Sequence, residues 1–273
     1  MTIPPIRQDL FGLSSVPFLK PPPTPFLDED RQACLDALDA FTHYRGFAAL
    51  SGRPGCGKTA LVHYFTQALH PPSHKIMYLA CGDFSGHDLL RAICCQLELE
   101  AVRSASKTLA AIEQRLEDLG TLTPVLVLDE MQNASNASLE LLRLLAASRF
   151  DTTRRLCMIM VGTDSFPGKL ALAIKESLRQ RITYFHRLSP LDEAATANYL
   201  THCLNQAGAH QPIIPPEAVK LIHDLSGGAL RLINTLALAA LAAASREQVP
   251  TVTLEHLHQV RTHVLLPKTQ FTL

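Results

Sequence analysis

No apolar run among the 273 residues reaches the roughly 18 needed to cross a bilayer as a helix, so the sequence predicts no membrane span. The first residues also lack the charged-then-apolar pattern of a secretory leader. The seven cysteines (34, 56, 81, 94, 95, 157 and 203) are odd in number and hold no C-x-x-C pair. That usage predicts a reduced thiol set and a cytoplasmic protein. The twelve histidines are scattered, which gives no zinc pattern. Surplus charge is absent too: 25 Lys and Arg balance 25 Asp and Glu, and the pI is about 7.2. The chain as a whole is not a polycation, so any nucleic-acid contact has to come from a local patch. No internal repeat is visible. What remains is an ordinary globular composition, 47% hydrophobic and 18% charged. The length exceeds one typical domain and predicts two packed units.

The strongest local signal runs from Ala48 to Val62. Its middle, Gly52 to Thr59, reads G-x-x-x-x-G-K-T, the phosphate-binding loop pattern. The context fits. Phe47 to Leu50 is a short apolar run predicted to be a buried strand, and Ala60 to Leu69 has helical spacing. Gly52, Gly55 and Gly57 let the backbone curl so that successive N–H groups face one cavity. The helix that follows adds its N-terminal partial positive charge. Lys58 can reach β- and γ-phosphates as a mobile point charge, and the Thr59 hydroxyl can bind Mg²⁺. The candidate nucleotide contacts are therefore Gly52, Pro54, Gly55, Cys56, Gly57, Lys58, Thr59 and Ala60.

A second element lies roughly 70 residues on, Pro124-Val125-Leu126-Val127-Leu128-Asp129-Glu130. Four apolar residues in a row, ended by acids, predict a central parallel strand buried on both faces. The acids then fall at its C-terminal edge, where α/β sheets place their ligands. Asp129 is the candidate for the Mg²⁺ water shell. Glu130 is the candidate for polarising an attacking water.

Around these two elements the pattern is α/β and then all helical. Residues 1–26 are proline-rich and predict an extended arm laid on the domain surface by Phe11, Val16, Phe18 and Phe26, with no regular helix or central strand. Helices are expected at 28–41, 83–97, 109–119 and 138–147, and strands at 75–80, 156–162 and 182–186, with a loop over 131–136. From Leu191 the pattern is helical, with segments at 192–207, 215–225, 229–245 and 253–263 separated by Gly208 and the Gly227-Gly228 pair. The expected division is an arm over 1–26, an α/β nucleotide-binding domain over 27–189, a helical lid over 190–263 and a tail over 264–273. The tail keeps Leu265, Leu266, Phe271 and Leu273 on either side of Pro267. It either folds back on the lid or docks on another chain.

These features together resemble the AAA+ class of P-loop ATPases, a parallel sheet flanked by helices and followed by a small helical lid. Leu178-Arg179-Gln180-Arg181-Ile182 with Leu188-Ser189-Pro190-Leu191 resembles the stretch after the arginine-finger helix of ExeA/GspA-type ATPases. Ser226 to Asn234 (SGGALRLIN) resembles that family's sensor-2 motif, and Phe11-Gly12-Leu13 with Pro17-Phe18 its N-terminus. Val161-Gly162-Thr163-Asp164 resembles the sensor-1 strand of the related transposition ATPases, the TniB/TnsC group. The resemblance covers about residues 9 to 245. It implies ATP and Mg²⁺ as cofactors. It also implies an arginine, Arg179 or Arg181, supplied to the neighbouring subunit to stabilise charge on the transferring phosphoryl group. By the same resemblance Arg231 reads the phosphates within its own subunit and Thr163 orients the attacking water. Each has a plainer alternative. Arg179 and Arg181 can pack their stems on the sheet edge, Arg231 can be a surface helix residue, and Thr163 can cap a helix.

DNA contact is a further expectation. Arg103 and Lys107 lie on a polar segment ahead of the Asp129 strand, where related transposition ATPases carry loops that track the DNA backbone in rings or helical filaments. Repetition around an oligomer multiplies a small patch into salt-dependent, sequence-independent affinity. Arg143 to Arg187 is a second basic stretch: Arg143, Arg149, Arg154, Arg155, Lys169, Lys175, Arg179, Arg181 and Arg187 outnumber Asp151, Asp164 and Glu176. It is a DNA face, a solvated face or a subunit seam. Two readings follow. One is a homo-oligomeric ATPase on duplex DNA that recruits or activates a transposase, with a target-selection protein as a further partner and no membrane. The other is a secretion or assembly ATPase of the ExeA kind, partnered with a membrane complex. Secretion-type relatives continue into a membrane span and a peptidoglycan-binding domain, which this sequence lacks, and that favours the first. A replication-initiator or clamp-loader relative shares the fold but not the Leu178–Leu191 match.

Overall fold

The computed structural model describes residues 6–82, 84–146, 155–171, 176–262 and 264. Expectations for residues 1–5, for Arg149, Asp151, Arg154 and Lys175, and for the tail over 265–273 lie outside the described residues. The chain divides into two compact units. One holds Glu29–Arg53 and Lys58–Leu188, and the other Met1–Asp28, Pro54–Gly57 and Ser189–Leu273.

The first unit is a five-stranded parallel sheet with helices. It comprises α2 (Glu29–His43), β1 (Phe47–Gly52), α3 (Lys58–Ala68), β2 (His74–Ala80), α4 (Gly86–Gln96), α5 (Ala105–Asp118), β3 (Thr123–Asp129), α6 (Asn136–Ala146), β4 (Cys157–Val161), α7 (Phe166–Leu170), α8 (Glu176–Arg179) and β5 (Tyr184–Leu188). The strand order is β2-β3-β4-β1-β5. The three inner strands are buried nearly throughout, and the two outer ones alternate between core and solvent. That is why FAALSG, TPVLVLD and CMIMV read as unbroken apolar runs: each of these strands is covered on both faces. Val125 to Leu128 are no more than 1% exposed. Each such side chain contributes about 1.5–3 kcal/mol by leaving water. Tyr78 on β2 and Phe185 on β5 take outward positions on the outer strands.

Local chemistry sets the helix starts. Ser85 and Asp88 form a capping box at α4, and the Ser104 hydroxyl accepts from the Lys107 N–H at α5. Two short elements go beyond the sequence reading. Met131–Asn133 is a 3₁₀ turn where a loop is expected, and Phe166–Leu170 is a helix opened by Pro167. Neither is long enough to show a period in the sequence.

The second unit is helical: α1 (Gln8–Phe11), then α9 (Glu193–Gln206), α10 (Pro216–Ser226), α11 (Leu230–Glu247) and α12 (Leu254–Arg261). The proline-rich arm contributes Phe11, Leu13 and Phe18 to its core, where they join Tyr199, Leu204 and Leu236. Backbone ties reinforce this. The Ser14 N–H donates to the Ala207 carbonyl at 2.8 Å, and Phe26 meets Tyr199 edge-on at 5.5 Å. The expectation of an arm without regular helix is corrected by α1. Residues 6–16 are free of proline, and Gly12 stops the turn in the left-handed region at φ 65°. Between α10 and α11, Gly228 has φ +74°, and a Cβ there would lie 1.9 Å from the Leu191 carbonyl oxygen. Its own carbonyl takes the Leu191 N–H at 3.0 Å. Only glycine fits that approach.

Candidate nucleotide site

The inner strands β3, β4 and β1 are neighbours, so their C-terminal ends share one edge of the sheet. Asp129, Val161 and Gly52 end these strands, and Lys58 begins α3. Lys58 is 8% exposed, and its Nζ donates to the Gly52 carbonyl at 2.8 Å and the Arg53 carbonyl at 3.1 Å. The loop carbonyls thus fix the ammonium beside the loop. Gly57 has φ +98°, and a Cβ there would come within 2.7 Å of Leu230 Cδ1. The backbone turn favours glycine at that position, and a Cβ would also oblige the Leu230 methyl to shift.

Asp129 is 4% exposed and fully engaged. Its Oδ2 accepts from the Thr59 hydroxyl at 2.7 Å and from the Tyr78 hydroxyl at 3.0 Å, and its Oδ1 accepts from the Glu130 N–H at 2.8 Å. A buried carboxylate is tolerated here because donors meet both oxygens. Burial first, and then the Asp129 charge, push the Tyr78 phenol up to about 12, so it stays a donor at neutral pH. Thr59 and Asp129 present a hydroxyl and a carboxylate oxygen side by side. Such hard oxygen donors, few in number, suit Mg²⁺, which keeps several waters and takes its remaining ligands from phosphates.

Glu130 is exposed and non-glycine, yet sits at φ 58° in the left-handed region. The strained backbone turns its side chain away from the strand direction. The Gln132 side-chain amide donates to the Glu130 carboxylate, while the Gln132 Oε1 accepts from the Thr163 N–H at 3.0 Å. Lys169 Nζ donates to the Gln132 carbonyl at 2.8 Å. The Thr163 hydroxyl meets the Ser165 hydroxyl at 2.9 Å. The structure therefore brings Thr59, Asp129, Glu130 and Thr163 into one hydrogen-bonded cluster. Within the helical unit, the Arg231 N–H donates to the Gly55 carbonyl at 3.1 Å, which sets the start of α11 against the loop segment Pro54–Gly57.

Other sequence candidates lie apart from these bonds. Arg179 is the last residue of α8, and Arg181 follows it, its N–H donating to the Leu178 carbonyl at 3.0 Å. Arg103 and Lys107 are exposed around the N-terminus of α5. The basic stretch from Arg143 is partly used inside the molecule. Arg143 pairs with Glu140 at 2.6 Å, Arg155 with Glu117 at 2.7 Å and Glu113 at 3.3 Å, and Arg187 with Asp164 at 3.0 Å. Arg155, with its side chain 15% exposed, is a clasp between α5 and the entry to β4. Sequence reasoning missed Gln132 and Tyr78, and it counted Lys169 only in the basic stretch, where the structure bonds it to the Gln132 carbonyl. Gln132 sits in a stretch read as loop, and Tyr78 looked like one more strand residue. Thr163, which Gln132 bonds besides its near neighbour Glu130, and Asp129, which Tyr78 bonds, come from distant parts of the chain.

Residues 42–170 match the family described as AAA domain. General secretion pathway protein A of Aeromonas hydrophila is 32% identical over 246 residues, which are 86% of this chain and 44% of that protein. The chain thus spans less than half the length of that relative. Among solved structures, Cdc6p from Pyrobaculum aerophilum matches 95% of this chain and 72% of its own, with TM-score 0.71 and 20% identity. The Aeropyrum pernix ORC1 protein, solved in complex with DNA, matches 88% of this chain and 66% of its own, with TM-score 0.67 and 18% identity. The chain has the P-loop AAA+ fold. No helix among the described residues is long and apolar enough to cross a membrane.

Proposed function

We propose that the chain works as a homo-oligomer on duplex DNA, and that its ATP state recruits and activates a transposase. The observation that supports ATP turnover as the driver is the Thr59–Asp129–Glu130 cluster at the sheet edge. The loop N–H groups and Lys58 bind the triphosphate, and Arg231 adds a contact from its own subunit. Mg²⁺ would be held by Thr59 and Asp129, and it would supply positive charge to the bound phosphates. Glu130 polarises the attacking water, and Thr163 orients it. Arg179 or Arg181 of a neighbouring subunit stabilises the charge that develops on the phosphoryl oxygens. Turnover then depends on assembly. Arg103 and Lys107, exposed and repeated around the oligomer, supply backbone contacts to DNA without reading bases.

A second reading rests on the 32% identity with General secretion pathway protein A: the same ATPase serves a membrane-associated secretion or assembly complex. One experiment separates the two. ATP hydrolysis is measured against duplex DNA of random sequence at several salt concentrations, beside Glu130→Gln as the non-hydrolysing control. The transposition reading expects DNA to raise turnover and Glu130→Gln to trap oligomers on DNA. Turnover indifferent to DNA, with no DNA-bound assembly in ATP, sinks that reading and leaves the secretion one. Wild-type turnover in Glu130→Gln sinks the role of Glu130.

A further inference from the structure

Gln132 stands between two groups placed in the hydrolytic machinery. Its Nε2 faces the Glu130 carboxylate, and its Oε1 faces the Thr163 N–H at 3.0 Å. A side-chain amide oriented this way satisfies both partners, since one needs a donor and the other an acceptor. A carboxylate at position 132 would set acceptor against acceptor at Glu130. An apolar side chain would serve neither. The residue's own position is also fixed. It belongs to the 3₁₀ turn Met131–Asn133, whose Met131 is fully buried, and its carbonyl accepts from Lys169 Nζ at 2.8 Å. Glu130 itself is held by its backbone at φ 58° and by its N–H bond to Asp129 Oδ1. The backbone thus aims the carboxylate roughly, and one side chain sets where its oxygens lie relative to the end of β4.

We infer that Gln132 is a positioning residue for hydrolysis, a bridge that holds the Glu130 carboxylate and the Thr163 strand end at a fixed separation. Glu130 and Thr163 then meet the attacking water as one unit. A carboxylate free to rotate would often point away from that water. Misplacement on the ångström scale costs such a step about 100-fold. Nucleotide binding is set elsewhere, by the loop and Lys58, so it does not depend on the bridge. The inference rests on Glu130 acting on the attacking water.

The test compares wild type, Gln132→Ala, Gln132→Glu and Glu130→Gln, all assembled with ATP and duplex DNA. Gln132→Ala should lower kcat about 10- to 100-fold, with KM and the nucleotide Kd within about threefold and Tm unchanged. Gln132→Glu separates the two ends of the bridge. It keeps an acceptor for the Thr163 N–H and loses the donor to Glu130. Exchange protection of the Thr163 amide should therefore survive in Gln132→Glu and fall in Gln132→Ala, while kcat falls in both. Wild-type or raised kcat in either Gln132 variant overturns the inference. So does a loss of kcat accompanied by an equal loss of nucleotide binding or a drop in Tm, which would mark a structural turn residue. If Glu130→Gln turns over like wild type, the assignment of Glu130 fails, and that outcome is distinct from a Gln132 failure with Glu130→Gln inactive.

Discussion

The acid cluster at the sheet edge and the exposed bases near α5 are built in opposite ways. At the sheet edge the acids and the Thr163 strand end are tied together by hydrogen bonds. Asp129 takes three hydrogen bonds, and Glu130 and Thr163 are joined through one amide. Around α5, Arg103 and Lys107 stand in solvent on a helix start capped by Ser104. The contrast follows the task proposed for each. Moving a water onto a phosphorus atom needs atoms placed to a fraction of an ångström, so the scaffold fixes them. Neutralising a phosphate backbone needs only sign and reach, and flexible side chains deliver both. Arg155 sharpens the point from the other side: a base held by two glutamates is already committed to structure.

The largest expected effect probes whether the ordered half of the comparison is complete within one subunit. If Arg179 or Arg181 acts across a seam, alanine there leaves ATP binding intact and lowers turnover about 10³-fold or more. Mixing that variant with Lys58→Ala protein should restore activity at the mixed seams. Each supplies what the other lacks: an intact loop from one, an intact arginine from the other. Mixed oligomers that form and stay inactive would show that the arginines work in cis or not at all.

A middle-sized effect is expected at Tyr78. Its hydroxyl is one of two side-chain donors to Asp129 Oδ2, and Thr59 is the other. Tyr78→Phe removes a bond that orients a carboxylate without touching nucleotide. The Mg²⁺ concentration for half-maximal turnover should rise about tenfold, the lower end for groups that orient a metal's ligands. Maximal turnover at saturating Mg²⁺ should be kept. An unchanged Mg²⁺ requirement would mean that Thr59 and the Glu130 N–H hold Asp129 well enough alone.

Much of this architecture is legible in the amino-acid sequence alone. The loop from Gly52 to Thr59, the strand into Asp129 and Glu130, and the helical C-terminal region follow from glycine spacing, apolar runs and 3.6-residue periods. Strand order is not written in those periods. It emerges from crossovers, and it puts β4 between β1 and β3, so that Thr163 reaches the acids. The proline-rich arm misled in one respect. Proline density marks where a helix cannot run, yet Gln8–Phe11 lies in a proline-free gap. Gln132 and Tyr78 escaped for a shared reason. Each matters through a side-chain bond to a residue brought near by folding, and no local pattern announces such a bond. Basic density between Arg143 and Arg187 overstated what is available, because sequence counts charges and only structure shows which are already paired.

The smallest effect per subunit is expected at the exposed bases, and it tests the loosely built half. Arg103→Glu with Lys107→Glu takes away the charge that would neutralise at most two phosphates per subunit. The slope of log affinity against log salt should flatten by about 0.9 for each phosphate no longer neutralised, so by about 1.8 per subunit if both bases touch phosphates. The weakening should be the same for every duplex sequence, since neither residue reads bases. ATP binding by the single subunit should not change, as both side chains belong to the α5 surface and not to the loop. Because both are exposed, Tm should stay within about a degree, as for surface substitutions in general. A sequence-dependent weakening would mean that these side chains reach base edges. Unchanged affinity and slope would move the DNA-binding surface elsewhere. Arg155 would be a poor second choice despite its charge, because freeing it for DNA means leaving Glu113 and Glu117 without their partner.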